Sequence, residues 1–189
     1  MRVVVVAIAL ATVFACEARS EEKETLRVVS VFAGGFDLRP NEKASLTALG
    51  LARDYAVAPG SRFALTGELY PVVLVRQSTE DRFETELRPA LAAAWLFTYR
   101  GGARDRGVGF RLEAGSGLSW AWYGSIPTDG TRFNFYNQLG ASIVWKKGAG
   151  PSVALGYRFL HLSNLSLFPD NANPGVSFHS AVVAIEWPR

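Results

Sequence analysis

From Thr25 to the end, the chain alternates bulky apolar residues with small or polar ones at a period of two. Successive side chains of an extended strand point to opposite faces, so this period predicts strands. Eight are expected: Thr25–Ala33, Ala44–Tyr55, Arg62–Arg76, Phe83–Arg100, Val108–Trp122, Thr131–Lys146, Ser152–Ser163 and Ser177–Trp187. Turn-forming residues separate them, among them Arg39-Pro40-Asn41, Ala58-Pro59-Gly60, Gly101-Gly102, Pro127-Thr128-Asp129-Gly130 and Lys147-Gly148-Ala149-Gly150. No long window carries the i, i+3, i+4 repeat of an amphipathic helix.

The sense of the alternation decides which way the strands face. In the fifth strand Phe110, Leu112, Ala114, Leu118, Trp120 and Trp122 share one face, and Arg111, Glu113, Gly115 and Gly117 the other. In the sixth, Phe133, Phe135, Leu139, Ala141, Ile143 and Trp145 oppose Asn134, Tyr136, Gln138, Gly140 and Ser142. The third and fourth strands follow the same rule. A soluble barrel puts its bulky apolar residues inside. Here the face of small and charged residues suits a narrow lumen, where Glu68, Glu86, Arg88, Arg111, Glu113 and Arg158 can pair with one another. The strands are also long enough to cross a bilayer when tilted, which takes about 9–11 residues. Closure leaves no unpaired edge in lipid. The fold class is therefore all-β: an eight-stranded antiparallel transmembrane β-barrel.

The first residues read as an N-terminal signal peptide, approximately 1–18, leaving 19–189 as a single barrel domain. Arg2, the apolar run Val3 to Ala15 and a small-residue exit make that pattern. The run is shorter than the roughly 20 residues of a membrane-spanning helix. Cys16 is the only cysteine, so no intrachain disulfide is possible, and it could carry a lipid or leave with the signal. The net charge of +3 is scattered rather than striped. This argues against a nucleic-acid partner and for contact with acidic lipid head groups. No cluster has metal-ligand spacing, and neither a metal nor a cofactor is implied.

With both termini at the periplasmic side, the links after strands one, three, five and seven form the outer loops. The end of strand seven then stands at the outer rim. It carries Tyr157, Phe159, His161 and Ser163 on one face, the outward one. A polar pair on a lipid-facing wall is expensive, which invites a functional reading. The plainer account makes His161 an interfacial residue where the barrel leaves the hydrocarbon, as it does for His179.

Tyr157-Arg158-Phe159-Leu160-His161-Leu162-Ser163-Asn164, followed by Asn173-Pro174-Gly175, resembles the signature of the lipid A 3-O-deacylase family of PagL-like outer-membrane enzymes. The resemblance implies an eight-stranded barrel that removes an ester-linked acyl chain from lipid A in the outer leaflet. It makes Ser163 the nucleophile and His161 the general base, with Asn164 and Ser166 as oxyanion donors. The carboxylate that orients the histidine should fall two residues after the loop glycine, where this chain has Ser177. Ser177 can still hydrogen-bond the imidazole but supplies no charge. Asp170, in a loop about two residues longer than usual for the family, is the other candidate orienter.

The expected partners are lipid A or lipopolysaccharide and the outer membrane, with a homodimer left open. The competing readings are a non-catalytic small barrel with a structural or loop-binding role, and a soluble ligand-binding barrel.

Overall fold

The computed structural model of the chain describes residues 25–37, 43–58, 60–79, 82–102, 106–122, 131–163 and 175–188. Eight strands run β1 (Thr25–Asp37), β2 (Lys43–Ala56), β3 (Phe63–Thr79), β4 (Arg82–Gly102), β5 (Arg106–Ala121), β6 (Phe133–Lys147), β7 (Ser152–Ser163) and β8 (Val176–Pro188). Each pairs antiparallel with the next. β8 returns to β1, Thr25 opposite Pro188 and Asp37 opposite Val176, and the barrel is closed. The expected signal segment and Cys16 lie outside the described residues.

The alternation has the sense that the sequence predicts. Leu139 is 63 % exposed and Phe97 55 %, while Thr66, Glu68 and Thr98 are fully buried. Bulky apolar side chains cover the outside and ionic ones fill the inside, as a hydrocarbon surround requires. Aromatic side chains gather toward both ends. Toward the end that carries the termini, Phe63 packs on Phe97 and Tyr99, with Tyr99 continuing to Phe110. Toward the opposite end, the upper rim, Phe133 packs edge-on against Phe135, with Trp120 on the neighbouring strand and Trp122 just past its end.

Among the described residues, four arginines are set against four carboxylates in the lumen. Arg27 bonds Glu113 at 2.7 Å and Asp54 at 2.8 Å. Arg158 bonds Glu113 at 2.8 Å and grips Glu68 through both terminal nitrogens, at 2.9 and 3.1 Å. Arg100 pairs with Asp54, and Arg111 with Glu186. Of the predicted lumen ions, Glu68, Arg111, Glu113 and Arg158 all belong to this network. The side chains of Glu86 and Arg88 lie outside the described residues. Above the network, the tyrosines Tyr70 and Tyr136 lie across the lumen. A Cβ on Gly50 would collide with the Tyr70 ring, and one on Gly117 with Tyr136. Higher still the interior is apolar, lined by Val31, Leu46, Val73, Val75, Leu160 and Leu162.

One predicted loop is tighter than its place in the topology suggests. β3 continues to Thr79 and β4 begins at Arg82, so this upper link is shorter than the other upper ones. β3 also carries a bulge. Its pairing steps from Tyr70–Ala92 to Val73–Ala90, and the intervening Pro71 and Val72 are both exposed. Proline has no N–H to give the ladder, so the extra residue falls where one hydrogen bond would be missing anyway.

Candidate active site

β7 and β8 meet at the upper rim, and their register brings the candidate residues together. His161 lies directly opposite Ser177, and Phe159 opposite His179. Leu160, Leu162, Val176 and Phe178 are buried in the lumen, which leaves His161, Ser163, Ser177 and His179 on the outer wall. The parity of two adjacent strands thus fixes the orientation of the site. A one-residue slip of either strand would carry its polar residues inside.

His161 Nδ1 and Ser177 Oγ are 3.0 Å apart, in a half-buried setting. With the proton on Nδ1, the ring donates to Oγ and keeps a lone pair on Nε2, the form that a general base needs. A hydroxyl can also donate, so Ser177 supports the opposite tautomer as well. A carboxylate accepts only, and would hold the useful one. Ser177 therefore positions the ring without enforcing its protonation state.

Gly175 supplies a second constraint. It has a positive φ of 49°, and a Cβ there would stand 3.2 Å from His161 Cε1 and 3.4 Å from Nε2. The loop backbone thus closes over the working edge of the imidazole, in a conformation that glycine adopts at little cost. Ser163 is half-buried at the end of β7, on the same face and two residues further along. No hydrogen bond joins His161 to Ser163 among the described residues. A free active site often lacks this contact, and rotation of the serine hydroxyl about χ1 changes it. Asn164, Ser166 and Asp170 lie outside the described residues.

His179 belongs to a separate pair. Its Nδ1 is hydrogen-bonded to the Tyr157 hydroxyl, and Phe159 packs edge-on to its ring. His179 is exposed, and this pair is distinct from the one that His161 makes with Ser177.

Two polar residues on the outer wall were missed by the sequence reading. Asn137 of β6 pairs with His161, and Ser116 of β5 pairs with Asn137, their side chains joined at 2.6 Å. The available signal was parity: both occupy the outward phase of strands that are otherwise apolar there, apart from Arg106 and Lys147 at the lower end.

The model of the lipid A 3-O-deacylase (PagL) family matches residues 57–186, well over half of the chain. The chain belongs to that family. The barrel is also similar to the crystal structure of the outer membrane enzyme PagL, with a TM-score of 0.57 at 20% identity, over 86% of this chain and 99% of that one. The outer membrane protein OprG from Pseudomonas aeruginosa aligns at a TM-score of 0.49 and 11% identity, over 89% of this chain and 96% of that one. No curated protein sequence matches the chain. As a PagL-family barrel, the chain is an outer-membrane protein of a lipid A deacylase family.

Proposed function

We propose that this PagL-family chain is a serine esterase that hydrolyses the ester-linked acyl chain at the 3-position of lipid A, with its site turned toward the outer leaflet. The observation that carries the proposal is the placement of His161 on the outer wall at the upper rim, held by Ser177 and covered by Gly175. Two residues along the same face, a serine hydroxyl meets the layer where acyl esters lie.

Ser163 Oγ attacks the ester carbonyl carbon as its proton passes to His161 Nε2. The negative charge that develops on the carbonyl oxygen is met by Asn164 and by the backbone N–H of Ser166. The intermediate collapses by breaking the bond to the sugar oxygen, which leaves with the proton from the imidazolium. Water then attacks the acyl-serine, again giving its proton to His161; the bond to Ser163 Oγ breaks as the imidazolium returns that proton to it, and a free fatty acid departs. Oxyanion donors of this kind are worth about 10²–10³ in rate.

Lipid A mass spectra from a host expressing the protein test this reading. The expected result is loss of one acyl chain, abolished by Ser163→Ala and by His161→Ala, with each variant still assembled as a heat-modifiable barrel. An unchanged spectrum with correctly assembled wild-type protein overturns it. That outcome would favour the non-catalytic barrel, the reading to which an uncharged Ser177 lends its only support.

A further inference from the structure

β7 presents two different walls. His161 faces outward, while Leu160 and Leu162 on either side of it face the lumen. Those leucines, with Val31 and Val75 across from them, line a space of about 500 Å³ in the upper bore, counting what is open to solvent. Tyr70, Tyr136, Gln138 and Arg158 border it below and form its floor. Leu162, Leu160 and Arg158 are successive inward positions of β7, so the floor lies four residues below the rim leucine. At roughly 3.3 Å per residue and a tilt of roughly 40°, the space is about 10 Å deep. Beneath the floor the ion network closes the bore, and the space is blind.

Some polar groups at the floor are satisfied. The Tyr70 hydroxyl donates to Glu68 and accepts from Arg158, and the Gln138 amide nitrogen donates to Glu68. Three bordering atoms are not. The Tyr136 hydroxyl, Gln138 Oε1 and Ser119 Oγ meet no partner among the described residues, and each of the three residues is more than nine-tenths buried. They are grouped on one side. Tyr136 and Gln138 are successive inward positions of β6. A Cβ on Gly117 of β5 would stand 2.5 Å from Tyr136 Cζ, so the hydroxyl end of that ring turns to β5. Ser119 is the next inward position of β5 above Gly117. An apolar space left empty forfeits contacts along its whole lining and holds water poorly. Buried polar atoms at its base need partners of their own. A slender chain with a polar end meets both demands.

We propose that the upper lumen is a binding site for a single-chain amphiphile, held head down, whose head is an uncharged hydroxyl group. The chain supplies the missing contacts along Val31, Val75, Leu160 and Leu162. The head accepts from Tyr136 or Ser119 and donates to Gln138 Oε1, an atom that can only accept. An anionic head has no proton for Gln138 and is costly to desolvate. It also finds no free cation, because Arg158 is engaged with Glu68 and Glu113. A two-chain lipid is too wide for the interior of an eight-stranded barrel, which holds at most one small ligand. The wall of β7 separates this site from Ser163. The inference goes beyond the esterase reading and does not rest on it.

The test places the methyl-labelled barrel in nanodiscs of deuterated lipid and titrates in protonated decanol, followed by nuclear magnetic resonance. Leu139 and Leu155 on the outer wall meet whatever probe dissolves in the bilayer, and so report its presence there. Leu160 and Leu162 should show saturable shifts and direct Overhauser contacts with the probe. Tyr136→Phe/Ser119→Ala removes two hydroxyls without opening the walls, and should raise the midpoint of saturation at least fivefold, about the worth of one net hydrogen bond. Decane and the anion decyl sulfate should each bind wild type at least about fivefold more weakly than decanol does. Gel mobility confirms that the variant is a folded barrel. Leucines 160 and 162 left unmoved by a probe that reaches Leu139 overturn the inference, and show a lumen that holds water alone. Decane or decyl sulfate matching decanol overturns it too, as does an unchanged midpoint in the double variant. No ester is present, so each of these results stands apart from the fate of the esterase reading.

Discussion

Arg158 is the keystone of the lumen, and the cost of removing it follows from its contacts. Its guanidinium makes two bonds to Glu68, one to Glu113 and one to the Tyr70 hydroxyl, all between 2.8 and 3.1 Å. Its side chain is 2 % exposed and that of Glu68 0 %. Arg158→Met fills much of the same volume but strips Glu68 of its ion-pair partner. Glu68 then keeps only the Tyr70 hydroxyl and, at 3.3 Å, the Gln138 amide. Breaking one side of a buried pair costs about 3–5 kcal/mol, whereas replacing both sides with apolar groups is often neutral. Glu113 is spared, since Arg27 still holds it at 2.7 Å. The single variant should therefore lose about 3–5 kcal/mol, and Arg158→Met/Glu68→Met should recover most of that. Urea unfolding in micelles, followed by the fluorescence of the five tryptophans, reads the difference. A single variant within about 1 kcal/mol of wild type, or a double variant no better than the single, would refute the account of the lumen as a mutually dependent ion network.

Other expectations concern the histidine. Ser177→Ala removes one hydrogen bond from the ring and should lower kcat roughly fivefold, in line with about 1 kcal/mol for such a bond, with KM little changed. Ser177→Asp supplies an acceptor-only partner that holds the base tautomer, and should raise kcat above wild type; a fall would argue against Ser177 as the residue that positions His161. Gly175→Val places a branched side chain at φ 49° against the ring and should cost at least tenfold in turnover. Unchanged gel mobility in that variant would locate the damage at the site rather than in the barrel.

The period-two pattern was enough to read the barrel, because the membrane imposes one rule on every strand. The predicted ends agree with the observed ones to within a few residues, and the phase put Glu68, Arg111, Glu113 and Arg158 inside. Their partners were another matter. Arg27 and Glu113 are 86 residues apart in sequence, and Arg158 and Glu68 are 90 apart. Such pairs exist only once the sheet closes, and no local pattern encodes them. The site shows the same division. The phase of β7 put His161 and Ser163 on one face, but the 3.0 Å contact with Ser177 depends on the register of β8. Ser116 and Asn137 were legible in principle, as polar residues in an apolar phase. They passed unnoticed because no motif surrounds them.

The crossed arginines and carboxylates also bear on permeability. Arg27 and Arg158 reach from β1 and β7 to Glu113 on β5 and Glu68 on β3, so the bars of the grating come from all around the bore. An ion entering the bore would have to displace charges already matched to one another, with two buried tyrosine rings above them. The cylinder should therefore be electrically silent. A cell could make many copies of it without opening a leak across the layer in which it is embedded.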